Sequence, residues 1–319
     1  MIRRVVNISQ RAIASQPVAP PAPGPGGKLD VDACFRYCEA LARARRHNFP
    51  VASIFLPSRL RPHVFALYAF ARTADDFVDE PGPGADGARR AEALDDWEDK
   101  LHRLYHGEVD HPIFVALAET VERFDLPITP LLDLLSAFRL DLRVTRYANF
   151  GELVGYTRLA AVPIGRALLY VFGYRDAERH RYAEELSSAL ALTSLWQDLA
   201  GDLHRDRIYV PQEDLKHFGV SEEDLFAQRQ TPALAQLVRF ECARTRALYE
   251  KARPLIDLVD DDLGVEVAMF AYGGLRALEK IEGRAHRVFA GRAYLNAADK
   301  AAVLTRAVAR RGRGLLSRF

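Results

Sequence analysis

Two groups of aspartates have the residue types and the spacing that could hold metal ions. Asp75 and Asp79 lie in ALYAFARTADDFVDE (66–80), and Asp198 and Asp202 lie in ALTSLWQDLAGDLHRDRIYVP (191–211). Within each pair the residues are four apart, so each pair predicts two carboxylates on one face of a helix. Ser194 extends the second face by a further step of four.

This arrangement indicates Mg²⁺ and a diphosphate. Mg²⁺ prefers a few carboxylates together with water and substrate phosphates to a closed protein cage. Two such helices in one domain therefore predict two or three Mg²⁺ ions with a diphosphate between them. The metals would draw negative charge from the leaving diphosphate and ionise an allylic carbon, which is prenyl diphosphate chemistry.

The first acidic pair follows a helix that is predicted to be covered on every side, since residues 64–71 are all apolar or aromatic. A carboxylate there is costly unless it is paired or binds a metal. Tyr68 and Arg72 continue the face of these acids in steps of four and three. We expect the acids to repel one another in the metal-free protein. Further cations for a diphosphate are Arg207 and the basic run Arg45, Arg46 and His47.

The carbocation left by ionisation requires a dry cavity lined by aromatic faces, whose quadrupoles stabilise positive charge. The candidate lining residues are Phe49, Phe70, Tyr68, Phe138, Tyr156 and Trp196. Aromatic side chains at helical spacing are also ordinary core residues, so each of them has a purely structural explanation as well.

The elements that would position these residues are helices. Apolar residues recur at three- and four-residue spacing in ten segments, and alternating strand-like runs are missing. The segments lie near 31–47, 60–79, 88–106, 112–124, 130–143, 159–173, 182–203, 232–253, 262–283 and 295–311. We predict one all-α domain over residues 30–300, with a disordered Arg/Pro-rich leader (1–29) before it and a basic C-terminal tail (301–319) after it.

Composition excludes several classes of function. The 319 residues have a formal net charge of +1 and no clear basic stripe, so nucleic acid is not an expected partner. No apolar run reaches about 18 residues, and no signal-peptide core is present. Three cysteines without a CxxC pair indicate a reducing compartment, and we expect a cytoplasmic protein.

The end of the chain, RAVARRGRGLLSRF, has five arginines and no acid. The simpler interpretation is a solvated terminus. The alternative is peripheral contact with the anionic inner face of the membrane.

Three segments carry a resemblance to a known family: HNFPVASIFLP, RPHVFALYAFARTADDFVDE and LTSLWQDLAGDLHRDRIYVP. Together they resemble the squalene/phytoene synthase family of head-to-head prenyltransferases, over about residues 31 to 300. NFPVAS, HPIFVALAETVERFDLPI and TRYANFGELVGYTRLAAVPIGR are most similar to its hopanoid-pathway branch. Members of that branch convert presqualene diphosphate to hydroxysqualene, with water as the terminal nucleophile.

The resemblance implies an isoprenoid-synthase-type helical bundle around a central cavity. It implies Mg²⁺ bound by Asp75, Asp79, Asp198 and Asp202, with Tyr68 and Tyr209 near the reacting carbons. The predicted substrate-binding residues, including the diphosphate contacts, are Arg45, Arg46, Asn48, Phe49, Arg72, Ser194, Arg207 and Tyr272.

The chain departs from the family pattern at several positions. Ala191 stands where Gln is usual, and Ser194 where a metal-contacting Asn is usual. Ala160-Ala161-Val162-Pro163 replaces a Ser-Ala-Asn-Pro of the hopanoid branch. A family tyrosine is displaced, with Tyr272 nearby and Gly273-Gly274 following. These changes make the predicted cavity more apolar and bear on the terminal step.

The first-choice function is therefore a hydroxysqualene-type synthase, which needs no nicotinamide. The closest alternative is a phytoene, dehydrosqualene or squalene synthase that couples two prenyl diphosphates, and the shared acids do not separate the two. An alternative of another class is a non-catalytic helical scaffold, whose expected mark would be broken aspartate motifs. The expected partners are a prenyl diphosphate substrate and other enzymes of the squalene/hopanoid pathway.

Overall fold

The computed structural model describes residues 18–24, 26–44, 56–79 and 86–315, with side chains as far as residue 310. Within these ranges the regular elements are helices, and one isolated bridge joins Arg146 and Ile208. The prediction of an all-α protein is confirmed. The helices are α1 (Val31–Ala44), α2 (Arg61–Asp79), α3 (Gly87–Tyr105), α4 (Pro112–Phe124), α5 (Thr129–Asp141), α6 (Phe150–Ala160), α7 (Val162–Val171), α8 (Ala177–Leu203), α9 (Gln212–Phe218), α10 (Glu222–Phe226), α11 (Pro232–Ala252), α12 (Leu255–Leu258), α13 (Asp261–Gly283) and α14 (Ala297–Leu315), with a 3₁₀ turn at Ala285–Arg287.

The helices form two compact units that are interleaved along the chain. The first unit comprises Met1–Arg143 and Pro163–His180, and the second comprises Val144–Val162 and Arg181–Phe319. The first unit contains helices α1–α5 and nearly all of α7. The second unit contains α6, most of α8, and α9–α14. The chain passes between the units three times, which explains why no linker is visible in the sequence. The predicted domain bounds remain a prediction.

Local sequence sets the helix ends. The Asp86 side chain caps α3 by accepting the Arg89 backbone N–H, and Asn149 caps α6 in the same way. Helix α4 begins at Pro112, where a missing N–H costs nothing, and ends at Asp125 in the left-handed conformation (φ 50°). Such ends fall where the sequence places its turn signals.

The core of the first unit is built on aromatic residues around α2. Phe70 of α2 stacks on Trp97 of α3, with ring centroids 6.0 Å apart, and meets Phe114 of α4 edge-on at 5.9 Å. All three side chains are buried. Aromatic pairs at these distances add to area burial. This core therefore holds the middle of α2, the helix that carries the first acidic pair.

In the second unit, backbone pairing fixes the segment that follows α8. The Ile208 N–H donates to the Thr145 carbonyl (2.9 Å), and the Gln212 N–H donates to the Tyr147 carbonyl (2.9 Å). The segment before α6 is thus tied to the segment after α8. As a result, the end of the helix that carries the second acidic pair is held against a defined neighbour.

Most of the predicted C-terminal tail is helical. Residues 301–315 continue α14, which packs on α13 through Asp299, an acceptor for Arg276 Nε (2.8 Å) and an ion-pair partner of Lys280. Within the described residues, none of the helices combines the length and the apolar content needed to cross a membrane.

Candidate active site

The first acidic pair is held by an arginine on its own helix. Asp75 is buried, with 1% of its surface exposed, whereas Asp79, the last residue of α2, is half-buried. The Arg72 guanidinium donates from Nη1 to Asp75 Oδ2 (2.9 Å) and from Nη2 to Asp76. One guanidinium therefore bridges two carboxylates one turn further along α2.

This contact overturns the expectation that the acids simply repel one another without metal. Arg72 is itself buried (4% exposed), so the ion pair with Asp75 lies away from water. A buried carboxylate is tolerated when its charge is paired and hydrogen-bonded. In the metal-free protein, the Arg72 guanidinium supplies both the opposite charge and the hydrogen bond.

Tyr68 completes the face that the sequence predicted on α2. It lies one turn before Arg72, and it is buried (7% exposed). Tyr68, Arg72, Asp75 and Asp79 thus follow one another along a single side of the helix. The four predicted contacts Arg45, Arg46, Asn48 and Phe49 lie outside the described residues.

The second acidic pair also has an arginine partner, and this one comes from a distant segment. Arg292 Nη1 lies 3.0 Å from Asp198 Oδ1, and the two side chains are 7% and 19% exposed. Gln197, the neighbour of Asp198, donates from Nε2 to the Ala293 carbonyl (2.6 Å). The segment between α13 and α14 is therefore fastened to α8 beside the acid.

Sequence reasoning missed Arg292. It lies in the irregular stretch FAGRAYL, directly after Gly291, which has the left-handed conformation (φ 93°). Helical periodicity makes no prediction for a segment that is not helical. Its Nε is buried without a hydrogen-bond partner among the described residues. The available signal was an arginine within the range, about residues 31 to 300, over which the sequence resembles the family.

Asp202 lies in the last turn of α8 beside a cluster of tyrosines. It is 3% exposed, and its backbone carbonyl accepts from the Arg207 N–H (3.0 Å). The Tyr209 ring lies 5.8 Å from that of Tyr147 and 5.7 Å from that of Tyr156, and the latter two rings are 5.4 Å apart. All three tyrosines are buried. Tyr147, Tyr156 and Tyr209 therefore form one aromatic cluster, and Tyr147 is a member that the sequence did not suggest.

A small cleft lies beside Asp202 and Tyr209. Its walls include Trp196, Leu199, Asp202, Arg207, Tyr209 and Leu225. It contains one acid, one cation and otherwise mainly apolar surface.

The remaining predicted residues have different surroundings. Ser194 is buried (5% exposed) on α8, one turn before Asp198. Tyr272 on α13 is half-buried, and one face of its ring is covered by the Arg306 guanidinium at 4.2 Å. Phe138 is fully buried in the first unit, as is Phe70. Of these residues, Ser194 is the one that lies on the same helix face as an acid of the predicted site.

The donor set fits a hard divalent cation that brings its own ligands. Across the described residues, no group of three or more His, Cys, Asp or Glu side chains converges into a metal cage. Each helix instead offers carboxylates at one-turn spacing, with Ser194 as a further oxygen on α8. Such a set suits Mg²⁺, which completes its octahedron with water and phosphate oxygens.

Comparison with known proteins agrees with this chemistry. The family model for squalene/phytoene synthase matches residues 42–299. A 15-cis-phytoene synthase from Synechocystis sp. is 31% identical over 86% of this chain and 85% of its own length. The crystal structure of squalene synthase HpnC from Alicyclobacillus acidocaldarius is 36% identical, covers 81% of this chain and 96% of its own, and superposes with a TM-score of 0.76.

A dehydrosqualene synthase crystallised with a ligand shares the fold, with a TM-score of 0.79 at 24% identity, over 91% of this chain and 98% of its own. These neighbours have the all-α isoprenoid synthase fold, as the sequence predicted. The family is catalytic, transfers prenyl groups in isoprenoid biosynthesis, and ionises diphosphates with a divalent metal. The match over residues 42–299 means that this chain belongs to the squalene/phytoene synthase family.

Proposed function

We propose that this protein is a hydroxysqualene-type synthase, which converts presqualene diphosphate and water to hydroxysqualene and diphosphate. The carbon–oxygen bond to the diphosphate breaks, and the leaving group takes the electron pair. The cyclopropylcarbinyl cation then rearranges. Water adds to the rearranged cation and loses a proton to give the alcohol.

The observation that carries the proposal is that one acid of each pair is held by a buried arginine: Asp75 by Arg72, and Asp198 by Arg292. Each acidic pair therefore has a cation beside it, as binding of a metal diphosphate requires. The similarity to squalene synthase HpnC supports a reaction of the squalene type.

Two or three Mg²⁺ ions, held by Asp75, Asp79, Asp198 and Asp202, would neutralise the charge that develops on the departing diphosphate. When the carboxylates are engaged in this way, the guanidinium groups of Arg72 and Arg292 are available to donate to diphosphate oxygens. Guanidinium groups suit this role because their paired N–H groups match phosphate geometry.

Aromatic faces and the exclusion of bulk water would stabilise the carbocation until the one water that gives the alcohol adds to it. Tyr147, Tyr156 and Tyr209 lie 2–5% exposed beside Asp202 and provide three adjacent π-systems. No side chain has to act as a covalent nucleophile. Positioning and electrostatic stabilisation account for the reaction.

A second candidate function is the coupling of two prenyl diphosphates, as in a phytoene synthase. The similarity to the cyanobacterial 15-cis-phytoene synthase supports it. The same acids, arginines and tyrosines would serve both reactions, so only the products distinguish them.

The test supplies purified protein and Mg²⁺ with presqualene, farnesyl or geranylgeranyl diphosphate in turn, followed by mass spectrometry of the extracted products. We expect hydroxysqualene from presqualene diphosphate. Phytoene from geranylgeranyl diphosphate would replace the first candidate with the second. No product from any of the three would overturn both and favour a scaffold.

We also propose that the protein works in the cytoplasm and contacts the inner membrane face through α14. Arg306 and Arg310 are exposed on this helix beside the exposed Val308 (40%). Basic residues near an anionic surface each contribute roughly 1 kcal/mol. Flotation with phosphatidylglycerol vesicles tests this: binding that is equal with neutral vesicles would contradict it.

A further inference from the structure

Gly274 of α13 lies unusually close to the hydroxyl of Tyr249. A Cβ atom built on Gly274 would lie 1.9 Å from Tyr249 Oη, 2.4 Å from Cζ and 2.8 Å from Cε1. Real Cβ atoms do not approach other atoms so closely, and Tyr249 is 2% exposed, in an interior that is closely packed as a rule. Glycine at position 274 is therefore what admits the Tyr249 side chain.

The Tyr249 hydroxyl reaches α8. Its Oη lies 2.9 Å from Thr193 Oγ1, and Thr193 Oγ1 in turn donates to the Ala189 carbonyl (2.7 Å). Because the threonine proton is used in the second contact, Tyr249 is the donor in the first. Burial raises the pKa of Tyr249, which keeps the phenol protonated for this bond.

A second contact of the same kind lies one turn away. Trp196 Nε1–H of α8 donates to Thr245 Oγ1 of α11 (2.8 Å), and Thr245 donates to the Glu241 carbonyl (2.8 Å). Thr245 and Tyr249 are four residues apart on α11. Two side-chain hydrogen bonds thus fasten one face of α8 to one face of α11.

The hydrogen bonds to α11 lie largely on the side of α8 opposite Ser194 and Asp198, and the Trp196 ring also reaches the cleft beside Asp202. At about 100° per residue, the direction midway between Thr193 and Trp196 is about 150° from the direction midway between Ser194 and Asp198. A rotation of α8 about its axis would break the bonds to α11 and move Ser194 and Asp198 at the same time. The two faces are mechanically coupled because they belong to one rigid helix turn.

We infer that Tyr249, through its hydrogen bond to Thr193 and in the space left by Gly274, is a positioning residue that sets the orientation of Ser194 and Asp198 for the metal diphosphate. The inference rests on the proposed function, since it assumes that this face of α8 binds Mg²⁺ and diphosphate. Tyr249 itself touches neither acid in this account. It acts through Thr193, on the other side of α8 from Ser194 and Asp198.

The test is Tyr249→Phe, which keeps the ring and removes the hydroxyl. The matched control is Tyr105→Phe, which removes the hydroxyl that donates to the Leu126 carbonyl (2.8 Å) in the first unit. Binding of inorganic diphosphate at fixed Mg²⁺ is followed by isothermal titration calorimetry, and KM and kcat are measured in parallel. We expect Kd and KM to rise about fivefold in Tyr249→Phe and to stay within about 1.5-fold of the wild type in Tyr105→Phe.

Two further variants sharpen the result. Thr193→Val is expected to raise Kd to the same degree, and the double variant Tyr249→Phe/Thr193→Val no further, because both remove one interaction. Gly274→Ala keeps the Tyr249 side chain, but the added methyl group fills the space that its hydroxyl occupies. This variant should raise the Kd for diphosphate at least as much as Tyr249→Phe does.

The outcomes separate the inference from the function. If Tyr249→Phe lowers Tm as Tyr105→Phe does while Kd and KM stay at the wild-type values, Tyr249 is merely structural and the inference fails. If the wild type itself does not bind diphosphate with Mg²⁺, the proposed function fails and the inference with it.

Discussion

Replacing Arg72 by methionine tests the electrostatics of the first acidic pair. The substitution keeps most of the apolar volume of the side chain but removes the guanidinium that bridges Asp75 and Asp76. In the wild type, Asp75 is only 1% exposed. Removing one partner of a buried ion pair costs about 3–5 kcal/mol, because the other charge stays behind in a poorly solvated place. For a protein of this size we expect Tm to fall by about 5–10 °C.

The control is Arg139→Met in the same unit. Arg139 also bridges two carboxylates, Asp95 (2.6 Å) and Glu98, but its side chain is 27% exposed and that of Asp95 is 65% exposed. Solvent screens such a pair, so we expect a loss of at most about 1 kcal/mol. Calorimetric scans in EDTA compare the two variants directly.

Addition of Mg²⁺ provides the second half of the experiment. In Arg72→Met the carboxylates lack the arginine that competes with a metal, so Mg²⁺ should raise the Tm of this variant more than that of the wild type. Equal losses in Arg72→Met and Arg139→Met, or no extra effect of Mg²⁺, would refute the account of a buried and metal-exchangeable ion pair.

Two further predictions concern the second unit. Tyr209→Phe keeps the aromatic ring beside Tyr147 and Tyr156 and should retain most of kcat. Tyr209→Leu removes the ring and should lower kcat at least tenfold. Equal kcat values in the two variants would argue against cation stabilisation by this ring. Burial raises the pKa of Glu266 to about 9, from an ordinary 4.5, so the folded state keeps a proton that the unfolded state releases. The free energy of unfolding should therefore fall as pH rises from about 4.5 to 9. Urea titrations should show a flatter pH dependence between pH 7 and 9 for Glu266→Gln than for the wild type, and the same dependence in both would contradict the raised pKa.

Helix existence and most helix bounds were accessible from the sequence. The segment near 60–79 is observed as Arg61–Asp79, and that near 112–124 as Pro112–Phe124, because strong apolar periodicity coincides there with end signals. The segment near 159–173 is observed largely as α7 (Val162–Val171), but its first residues belong to α6, which ends at Ala160 and was otherwise not predicted. Short helices such as Gln212–Phe218 span too few turns for periodicity to reveal them.

The candidate site was predictable only in part, for a physical reason. The acids on α2 and α8 are visible because one-turn spacing is a local property of a helix. Arg292 contacts Asp198 across 94 positions of sequence, and Tyr249 enters the space over Gly274 from another helix. The sequence marked Gly273-Gly274 as a departure, but it could not indicate which side chain would use the space. Contacts of this kind are set by tertiary packing.

The central claim is that the acids of α2 and α8 bind the same metal diphosphate. Electron paramagnetic resonance of Mn²⁺ measures it directly, with inorganic diphosphate present, in the wild type, Asp75→Asn, Asp198→Asn and the double variant. If both helices serve one site, each single variant weakens diphosphate-dependent Mn²⁺ binding severely, and the double variant binds little worse than either. If each single variant instead abolishes only its own share of the bound Mn²⁺ and the losses add, the two acidic pairs act separately and the claim is contradicted.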